Sequence, residues 1–187
     1  MHIPKTGGLS VLPFCARHGI KVIKHDLRDP DFTSLAEYRA RNPGIFSFAL
    51  VRNPWDRVVS SYHYLRAGGI NPGDRADATR YVVQYKNFRT FVLEAFEDSE
   101  ILKQIHFRPQ YEWLSDEDVL IVDQVGKFEK LQLGFSRWFK SLGLPDYRLP
   151  HVNKSAHKPY KDYYSEDTIA AIRKVYAKDI ELFSYRF

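Results

Sequence analysis

Short apolar runs of strand length alternate with longer stretches of helical periodicity along the chain. Residues 46–51 (F-S-F-A-L-V) form a nearly continuous apolar run, which is typical of a strand buried on both faces. Shorter runs at residues 20–23 (I-K-V-I) and 119–122 (V-L-I-V) predict two further strands. Because strands and helices alternate, the pattern predicts an α/β fold whose central, largely parallel sheet is flanked by helices.

Helical segments are predicted around these strands from their periodicity and their end signals. One begins at Pro54, because proline fits the first helical position, where its missing N–H costs nothing. Another follows Ser165, a suitable N-cap residue with acidic residues in the next turn. Residues 68–77 are polar and rich in turn residues, which predicts a loop. The remaining helices are predicted at residues 10–17, 88–96 and 131–142, with a helical neighbourhood around Glu112.

Length and composition indicate the size of the domain, the cellular compartment and the net charge. The chain has 187 residues, 44% of them hydrophobic, which suits one domain with its own core. Cys15 is the single cysteine, so no intrachain disulfide can form and we expect a reducing, cytoplasmic location. No membrane span and no secretory leader are expected, because neither pattern is present. The net charge of +5 suits an anionic ligand, whether nucleotide, sulfated glycan or nucleic acid.

The segment Ile3–Ser10 (I-P-K-T-G-G-L-S) combines paired glycines with a following helix. Paired glycines let the backbone turn tightly, and a helix N-terminus offers unpaired N–H groups and a partial positive charge. We therefore predict an anion cradle, with Lys5 at its rim and the hydroxyls of Thr6 and Ser10 as donors. The lysine precedes the glycines, so this is not a Walker A loop. Only residues 1–3 precede the turn, so either the lead-in strand is very short or the natural chain begins further upstream.

A second anion site is predicted where the apolar run at residues 46–51 ends. Arg52 stands at its carboxyl end, where ligands bind in open α/β sheets. Asn53 can cap the next helix, whose polar face carries Ser60. A guanidinium and a hydroxyl suit a phosphate dianion, so we predict that Arg52 and Ser60 bind one together. The apolar face of this helix comprises Trp55, Val58, Val59, Tyr62 and Leu65, and the other face Arg57, Ser60, Ser61 and Tyr64.

These two motifs, P-K-T-G-G and R-N-P-x-x-R-x-x-S-x-Y, together resemble the nucleotide-binding signatures of PAPS-dependent sulfotransferases (PAPS is 3′-phosphoadenosine 5′-phosphosulfate). The likeness is closest to the carbohydrate-type branch and its bacterial relatives. It extends through V-G-K-F-E at residues 125–129 and H-V-N-K-S at residues 151–155 to the terminal D-I-x-L-F-x-Y-x-F, and it is weakest at residues 68–107. The resemblance implies a P-loop-type three-layer sandwich and a single sulfotransferase domain over residues 1–187.

The resemblance also implies which residues hold the nucleotide. Lys5, Thr6, Gly7, Gly8, Leu9 and Ser10 would hold the 5′-phosphosulfate of PAPS. Arg52 and Ser60 would hold the 3′-phosphate, and Lys154 and Ser155 would close a late loop over the nucleotide. Leu9 stands where the family usually has threonine, which removes one hydroxyl donor and leaves the backbone N–H.

Sulfuryl transfer by in-line displacement would release 3′,5′-ADP, and Lys5 would stabilise the charge that grows on the bridging oxygen. The acceptor hydroxyl also needs a general base, for which histidine is suitable. His25 is the first candidate, and His106 is the second and is alternatively an acceptor-binding residue. No metal is expected, because the histidines and the cysteine lack zinc-type spacing. We expect a carbohydrate hydroxyl as acceptor and no nucleic-acid partner, and lipid-linked sugars, small phenols and alcohols also remain open.

Two functions of other kinds remain open from the sequence. A P-loop nucleotide kinase would share the glycine turn, but the order of lysine and glycines and the lack of an identifiable Mg²⁺ carboxylate count against it. A non-catalytic polyanion-binding module would use the same basic residues to bind a sulfated glycan without transfer.

Overall fold

The computed structural model describes residues 1–23, 34–141, 143, 149 and 157–187. These residues form two compact units. We call Met1–Arg52 with Gln110–Lys154 the first unit, and Asn53–Pro109 with Ser155–Phe187 the second unit.

Helices outnumber strands in the described residues, and the fold is mixed α/β. The helices are α1 (Gly8–Arg17), α2 (Leu35–Arg41), α3 (Pro54–Arg66), α4 (Pro72–Tyr81), α5 (Phe88–Thr90), α6 (Glu100–Lys103), α7 (Leu131–Ser141), α8 (Glu166–Val175) and α9 (Ala177–Leu182). The strands are β1 (Phe48–Val51), β2 (Ser115–Asp116), β3 (Val119–Leu120) and β4 (Gln124–Lys127). A π-helical turn at Phe91–Ala95 continues α5, and 3₁₀ turns lie at Tyr111–Trp113, Phe128–Lys130 and Tyr160–Tyr163.

Strand β1 pairs in parallel with β4, in the register Phe48 to Gln124 and Val51 to Lys127. The strand predicted at residues 46–51 is therefore confirmed, with a start two residues later. Asp123 fixes the entry to this pair, because its carboxylate accepts hydrogen bonds from the Ser47 N–H at 2.7 Å and from Arg39 at 2.6 Å. Arg52 directly follows β1 and therefore stands at the carboxyl end of that strand.

The buried strand predicted at residues 119–122 is wrong. Val119 and Leu120 instead form an antiparallel hairpin with Ser115 and Asp116, and Val119 is 66% exposed. Residues 117 and 118 lie between the strands with φ of 44° and 69°, the left-handed conformation that both central residues of a tight hairpin turn adopt. The parallel partner of β1 starts further along the chain, at Gln124.

Residues 20–23 are not assigned as a strand either. One strand-like hydrogen bond is present there, from the His2 N–H to the Ile23 carbonyl at 2.9 Å. The loop predicted at residues 68–77 is wrong in its second half. Helix α4 begins there at Pro72, and the Asn71 side chain caps it by accepting from the Asp74 N–H at 2.9 Å.

Each unit has its own hydrophobic core. In the first unit α1 and α7 pack aromatic side chains together, among them Phe14 and Phe139 with ring centroids 4.2 Å apart. In the second unit the predicted apolar face of α3 is buried against α8 and the segment around α5. The α3 side chains of this core are Trp55, Val58, Val59, Tyr62 and Leu65, as the periodicity predicted. No helix in the described part of the chain has both the length and the apolar character needed to cross a bilayer.

Candidate functional site

The P-K-T-G-G segment forms a tight loop that leads directly into α1. Lys5 has φ of 68° and Gly7 has φ of 91°, so two of its residues adopt the left-handed conformation. The Thr6 hydroxyl is buried and donates to the Ile3 carbonyl at 2.8 Å, which closes the loop on itself. Thr6 therefore holds the loop closed through its hydroxyl proton.

A side chain at either glycine of the loop would crowd a neighbouring side chain. A Cβ on Gly7 would lie 3.0 Å from the Phe128 ring, at a φ that side chains rarely adopt. A Cβ on Gly8 would lie 2.1 Å from the Nε2 atom of His2, so the imidazole packs directly over this glycine. The glycines let Phe128 and His2 close around the loop backbone.

The N-terminus of α1 has the features of an anion site. Gly7 is its N-cap and makes no side-chain cap, and no acidic residue occupies the first turn. The first N–H groups of such a helix have no partner within it, and the helix dipole adds partial positive charge. Ser10 is buried in this turn, and its hydroxyl makes no hydrogen bond within the described residues. Leu9 is 54% exposed, so it contributes to the turn through its backbone.

Arg52 is anchored to the same loop. Its Nη1 donates to the Lys5 carbonyl at 3.1 Å, and its guanidinium lies 4.5 Å from the centre of the Phe128 ring. The Gln110 amide brackets the Arg52 backbone, because it accepts from the Arg52 N–H and donates to the Arg52 carbonyl, both at 2.8 Å. The first unit thus brings the predicted residues Lys5 and Arg52 together at the loop.

Helix α3 carries three polar side chains that are buried within the second unit, and two of them serve the backbone. Arg57 donates to the Arg108 carbonyl at 2.8 Å and to the Ile105 carbonyl at 3.3 Å. The Ser61 hydroxyl donates to the His106 carbonyl at 2.9 Å. Ser60, the residue predicted to bind phosphate, is buried and makes no side-chain hydrogen bond within the described residues.

His106 lies in a buried polar cluster of the second unit. Its ring is 5.2 Å from the Tyr64 ring, and its Nδ1 atom is 2.9 Å from the Gln104 amide nitrogen. The Tyr64 hydroxyl donates to Asp74 at 2.6 Å. Burial raises the pKa of Asp74, but hydrogen bonds from Tyr64 and from the Ile70 N–H outweigh it and hold this pKa below 3.8. Burial and the Asp74 carboxylate together raise the pKa of Tyr64, so the phenol stays protonated.

Three predicted site residues, His25, Lys154 and Ser155, lie outside the described residues. Their roles stay predictions. Among the described residues no group of three or more histidine, cysteine, aspartate or glutamate side chains is arranged to hold a metal ion.

A cavity of about 350 Å³ lies in the first unit, between α1 and β1. Thr6 and Gly8 reach it from the loop, and most of its other lining is apolar, with Val11, Cys15 and Phe48 as examples. This mostly apolar lining does not suit a phosphate, so the N-terminus of α1, and not the cavity, is the candidate for binding an anion.

Two glutamines that position site residues were not found from the sequence. Gln110 is fully buried and holds the Arg52 backbone, and Gln104 holds the His106 ring. Both lie in one short segment, Q-I-H-F-R-P-Q, which places polar residues among aromatic and apolar ones. The sequence offers one signal for them: a glutamine among apolar residues is expected to be buried, and a buried amide needs hydrogen-bond partners.

The described residues thus form a mixed α/β fold in which a glycine loop leads into a helix whose first turn carries no acidic residue. The model of the sulfotransferase family matches residues 13–186, so the chain belongs to the sulfotransferase family, and the family predicted from the motifs is confirmed. An uncharacterized protein of Archaeoglobus fulgidus is 30% identical over 118 residues, which are 63% of this chain and 84% of that protein. No solved structure matches the chain. The chain is thus a transferase of the class that moves a sulfuryl group from a sulfate donor to an acceptor.

Proposed function

We propose that this protein transfers a sulfuryl group from PAPS to a hydroxyl group of a carbohydrate. The observation that carries the proposal is the loop of the first unit, in which Gly7 opens α1 and Arg52 is fastened to the Lys5 carbonyl. This arrangement combines helix N–H groups, an ammonium and a guanidinium, and no acidic residue occupies the first turn of α1.

The residues of the loop fit the 5′-phosphosulfate of PAPS. We assign this group to Lys5, Thr6, Gly7, Gly8, Leu9 and Ser10. The two glycines support the assignment, because neither carries a side chain that could shield the backbone N–H groups of the turn. The Ser10 hydroxyl, which has no partner within the described residues, is available as a further donor.

We assign the 3′-phosphate of PAPS to Arg52 and Ser60. Ser60 is chosen over Ser61 because the Ser61 hydroxyl is already donated to the His106 carbonyl. A guanidinium binds phosphate with two parallel hydrogen bonds, which a nucleotide without the 3′-phosphate cannot accept. Lys154 and Ser155 belong to the same proposal on the strength of the family resemblance alone.

Bound PAPS supplies the sulfuryl group and a nucleotide leaving group, 3′,5′-ADP. The Lys5 ammonium would stabilise the negative charge that grows on the bridging oxygen, and the N–H groups of α1 would stabilise the leaving phosphate. His25 is proposed to take the proton from the acceptor hydroxyl, because an imidazole can act as a general base near neutral pH. Positioning and charge stabilisation carry the reaction, by analogy with phosphoryl transfer.

We propose that both units belong to one sulfotransferase domain, residues 1–187, with a P-loop-type three-layer sandwich as its scaffold. The family match supports this, because it runs through both units from residue 13 to residue 186. The parallel pairing of β1 with β4 supports the sandwich. The cytoplasmic location stays a prediction from the single cysteine.

Incubation with ³⁵S-labelled PAPS and a panel of acceptors tests the activity. The panel contains desulfated glycans, lipid-linked sugars, a simple phenol and water alone. We expect label to move to a glycan hydroxyl with release of 3′,5′-ADP. Label on the phenol alone would overturn the carbohydrate acceptor, whereas magnesium-dependent turnover of ATP without sulfuryl transfer would overturn the proposed function.

A further inference from the structure

The Gln104 amide makes three contacts in the buried cluster around His106. Its Oε1 accepts from the His106 backbone N–H at 2.7 Å. Its Nε2 lies 3.2 Å from the Asp77 carboxylate and 2.9 Å from the His106 Nδ1 atom. Gln104 and His106 are both buried.

These contacts fix which end of the amide faces the imidazole. A backbone N–H can only donate, so the atom that it meets must be the amide oxygen. A carboxylate can only accept, so the atom that Asp77 meets must be the amide nitrogen. Two independent neighbours therefore agree that the NH₂ group of Gln104 faces the Nδ1 atom of His106.

An NH₂ group has hydrogens and no available lone pair, so Nδ1 must be the acceptor of this hydrogen bond. The proton of the neutral imidazole then sits on Nε2. Nδ1 cannot take a proton without breaking the bond to Gln104. His106 is thus held in one tautomer, with a proton and not a lone pair at Nε2.

The turn that carries His106 is fastened to the helix that carries Ser60. Arg57 binds the carbonyls of Ile105 and Arg108, and Ser61, the neighbour of Ser60, binds the carbonyl of His106. Under the proposed function this helix contributes to the nucleotide site. The tautomer of His106 therefore bears on the chemistry assigned to that site.

We infer that Gln104 is a positioning residue that keeps His106 as the Nε2-protonated tautomer, so that His106 serves the transfer as a hydrogen-bond donor and not as the general base. This role rests on the proposed function. The inference deepens the proposed function, because the proton of the acceptor hydroxyl must then go to a residue other than His106.

The tautomer is measured directly, without any activity assay, on the full chain labelled with ¹⁵N-histidine. Long-range ¹H–¹⁵N correlation spectra distinguish a protonated ring nitrogen from a bare one, and a His106→Asn variant identifies the signals of His106. We expect a bare Nδ1 and a protonated Nε2. A protonated Nδ1, or two tautomers in exchange, would overturn the inference. The measurement is made on the wild-type chain and so does not depend on whether a Gln104 variant folds.

A Gln104→Glu variant adds the positioning test. Its carboxylate has no hydrogen to donate, so we expect the proton of His106 to move to Nδ1. Gln84→Glu is the charge-matched control, because Gln84 is exposed in the same unit, and it should leave the spectrum of His106 unchanged. An unchanged tautomer in Gln104→Glu would show that Gln104 does not set it.

The pH profile of sulfuryl transfer separates a donor from a base. If His106 is a donor, His106→Asn lowers turnover at every pH and keeps the loss of rate toward low pH that reports the true base. If that acidic limb disappears in His106→Asn, His106 is the base and the inference is wrong. A wild-type protein that neither binds 3′,5′-ADP nor transfers label would contradict the proposed function. The tautomer of His106 would still be decided by the NMR spectra alone.

Discussion

Ser60 and Ser61 stand next to each other on α3, yet their hydroxyl groups have different surroundings. Ser61 donates to the His106 carbonyl at 2.9 Å and holds a turn in place. Ser60 is equally buried and makes no side-chain hydrogen bond within the described residues. The Ser60 hydroxyl is therefore available to a ligand, whereas the Ser61 hydroxyl is already committed to the turn.

The two serines can be separated by alanine substitution. Ser61→Ala should lower the free energy of unfolding by about 1–3 kcal/mol, because it leaves a buried carbonyl without its donor, and should not change nucleotide preference. Ser60→Ala should keep the stability and weaken the binding of 3′,5′-ADP relative to ADP. Calorimetric titration and urea unfolding measure both. A Ser60→Ala variant that binds both nucleotides as wild type does would remove Ser60 from the site.

Lys5 is proposed to stabilise charge that develops during the transfer. Lys5→Ala should therefore lower turnover by roughly 10²-fold or more, in line with the loss of one donor to a transition state. Lys21→Ala is the control, because Lys21 is an exposed lysine of the same unit. The transfer of ³⁵S label from PAPS to water or to a glycan measures the rate. Near-normal turnover in Lys5→Ala would refute the assignment.

His63 is a titratable residue of α3 in an aromatic setting. Its ring stacks on His157, with centroids 5.4 Å apart and planes at 19°, and lies 4.9 Å from the Tyr163 ring. Burial, with smaller contributions from His157 and Arg66, lowers the pKa of His63 below 6.5. The unfolded chain then binds this proton more readily than the folded chain, so stability falls as the pH drops below about 6.5.

Urea unfolding at pH 8 and at pH 5.5 tests this effect. Wild type should be less stable at pH 5.5, and His63→Phe should lose less stability over the same interval. Asp74 and Asp123 do not interfere, because their pKa values are held below 3.8. His18→Phe, in the other unit, should keep the pH dependence that His63 causes. An equal loss in wild type and His63→Phe would contradict the role of His63.

At the scale of the elements, the loop before α1 depends on a left-handed glycine. Gly7 has φ of 91°, and Gly44 has φ of 84° with no atom within 4 Å of the Cβ position. Both Gly7→Ala and Gly44→Ala should cost about 1–2 kcal/mol of stability from the backbone alone. Gly7→Ala should also abolish nucleotide binding, because its Cβ would press on Phe128. Retained nucleotide binding in Gly7→Ala would show that this loop is not the anion site.

Local patterns predicted some elements well and others badly. Helix α3 was predictable because Asn53, Pro54 and a periodic apolar face all agree. The exposed position of strand β3 was not predictable, because a short run of Val and Leu occurs both in exposed hairpins and in buried strands. Its true counterpart, β4, carries Gly126, where a Cβ would lie 2.5 Å from Trp138. This close approach leaves no room for a side chain at that position of β4, a constraint that the apolar pattern of the sequence does not show.

Part of the candidate site could not be predicted from the sequence either. The order of lysine and glycines predicted the loop, because a turn into a helix is a local structure. The pairing of Gln104 with His106, and of Gln110 with Arg52, depends on side-chain orientation between positions that no periodicity connects. Residues of this kind become visible when their hydrogen-bond partners are known.

At the scale of the whole molecule, one family match runs through two compact units, each with its own core. Sulfuryl transfer from PAPS requires that the protein recognise a nucleotide by its 3′-phosphate. This requirement is the central claim, and it is independent of the acceptor.

Thermal unfolding of the full chain with 3′,5′-ADP, ADP, AMP or ATP at equal concentration tests that claim directly. A ligand at 100 times its Kd adds about 2.7 kcal/mol to the stability, which for a chain of this size raises Tm by about 5–11 °C. We predict a shift of this size with 3′,5′-ADP and a much smaller shift with ADP. Equal shifts with 3′,5′-ADP and ADP, or no shift with either, would contradict the account.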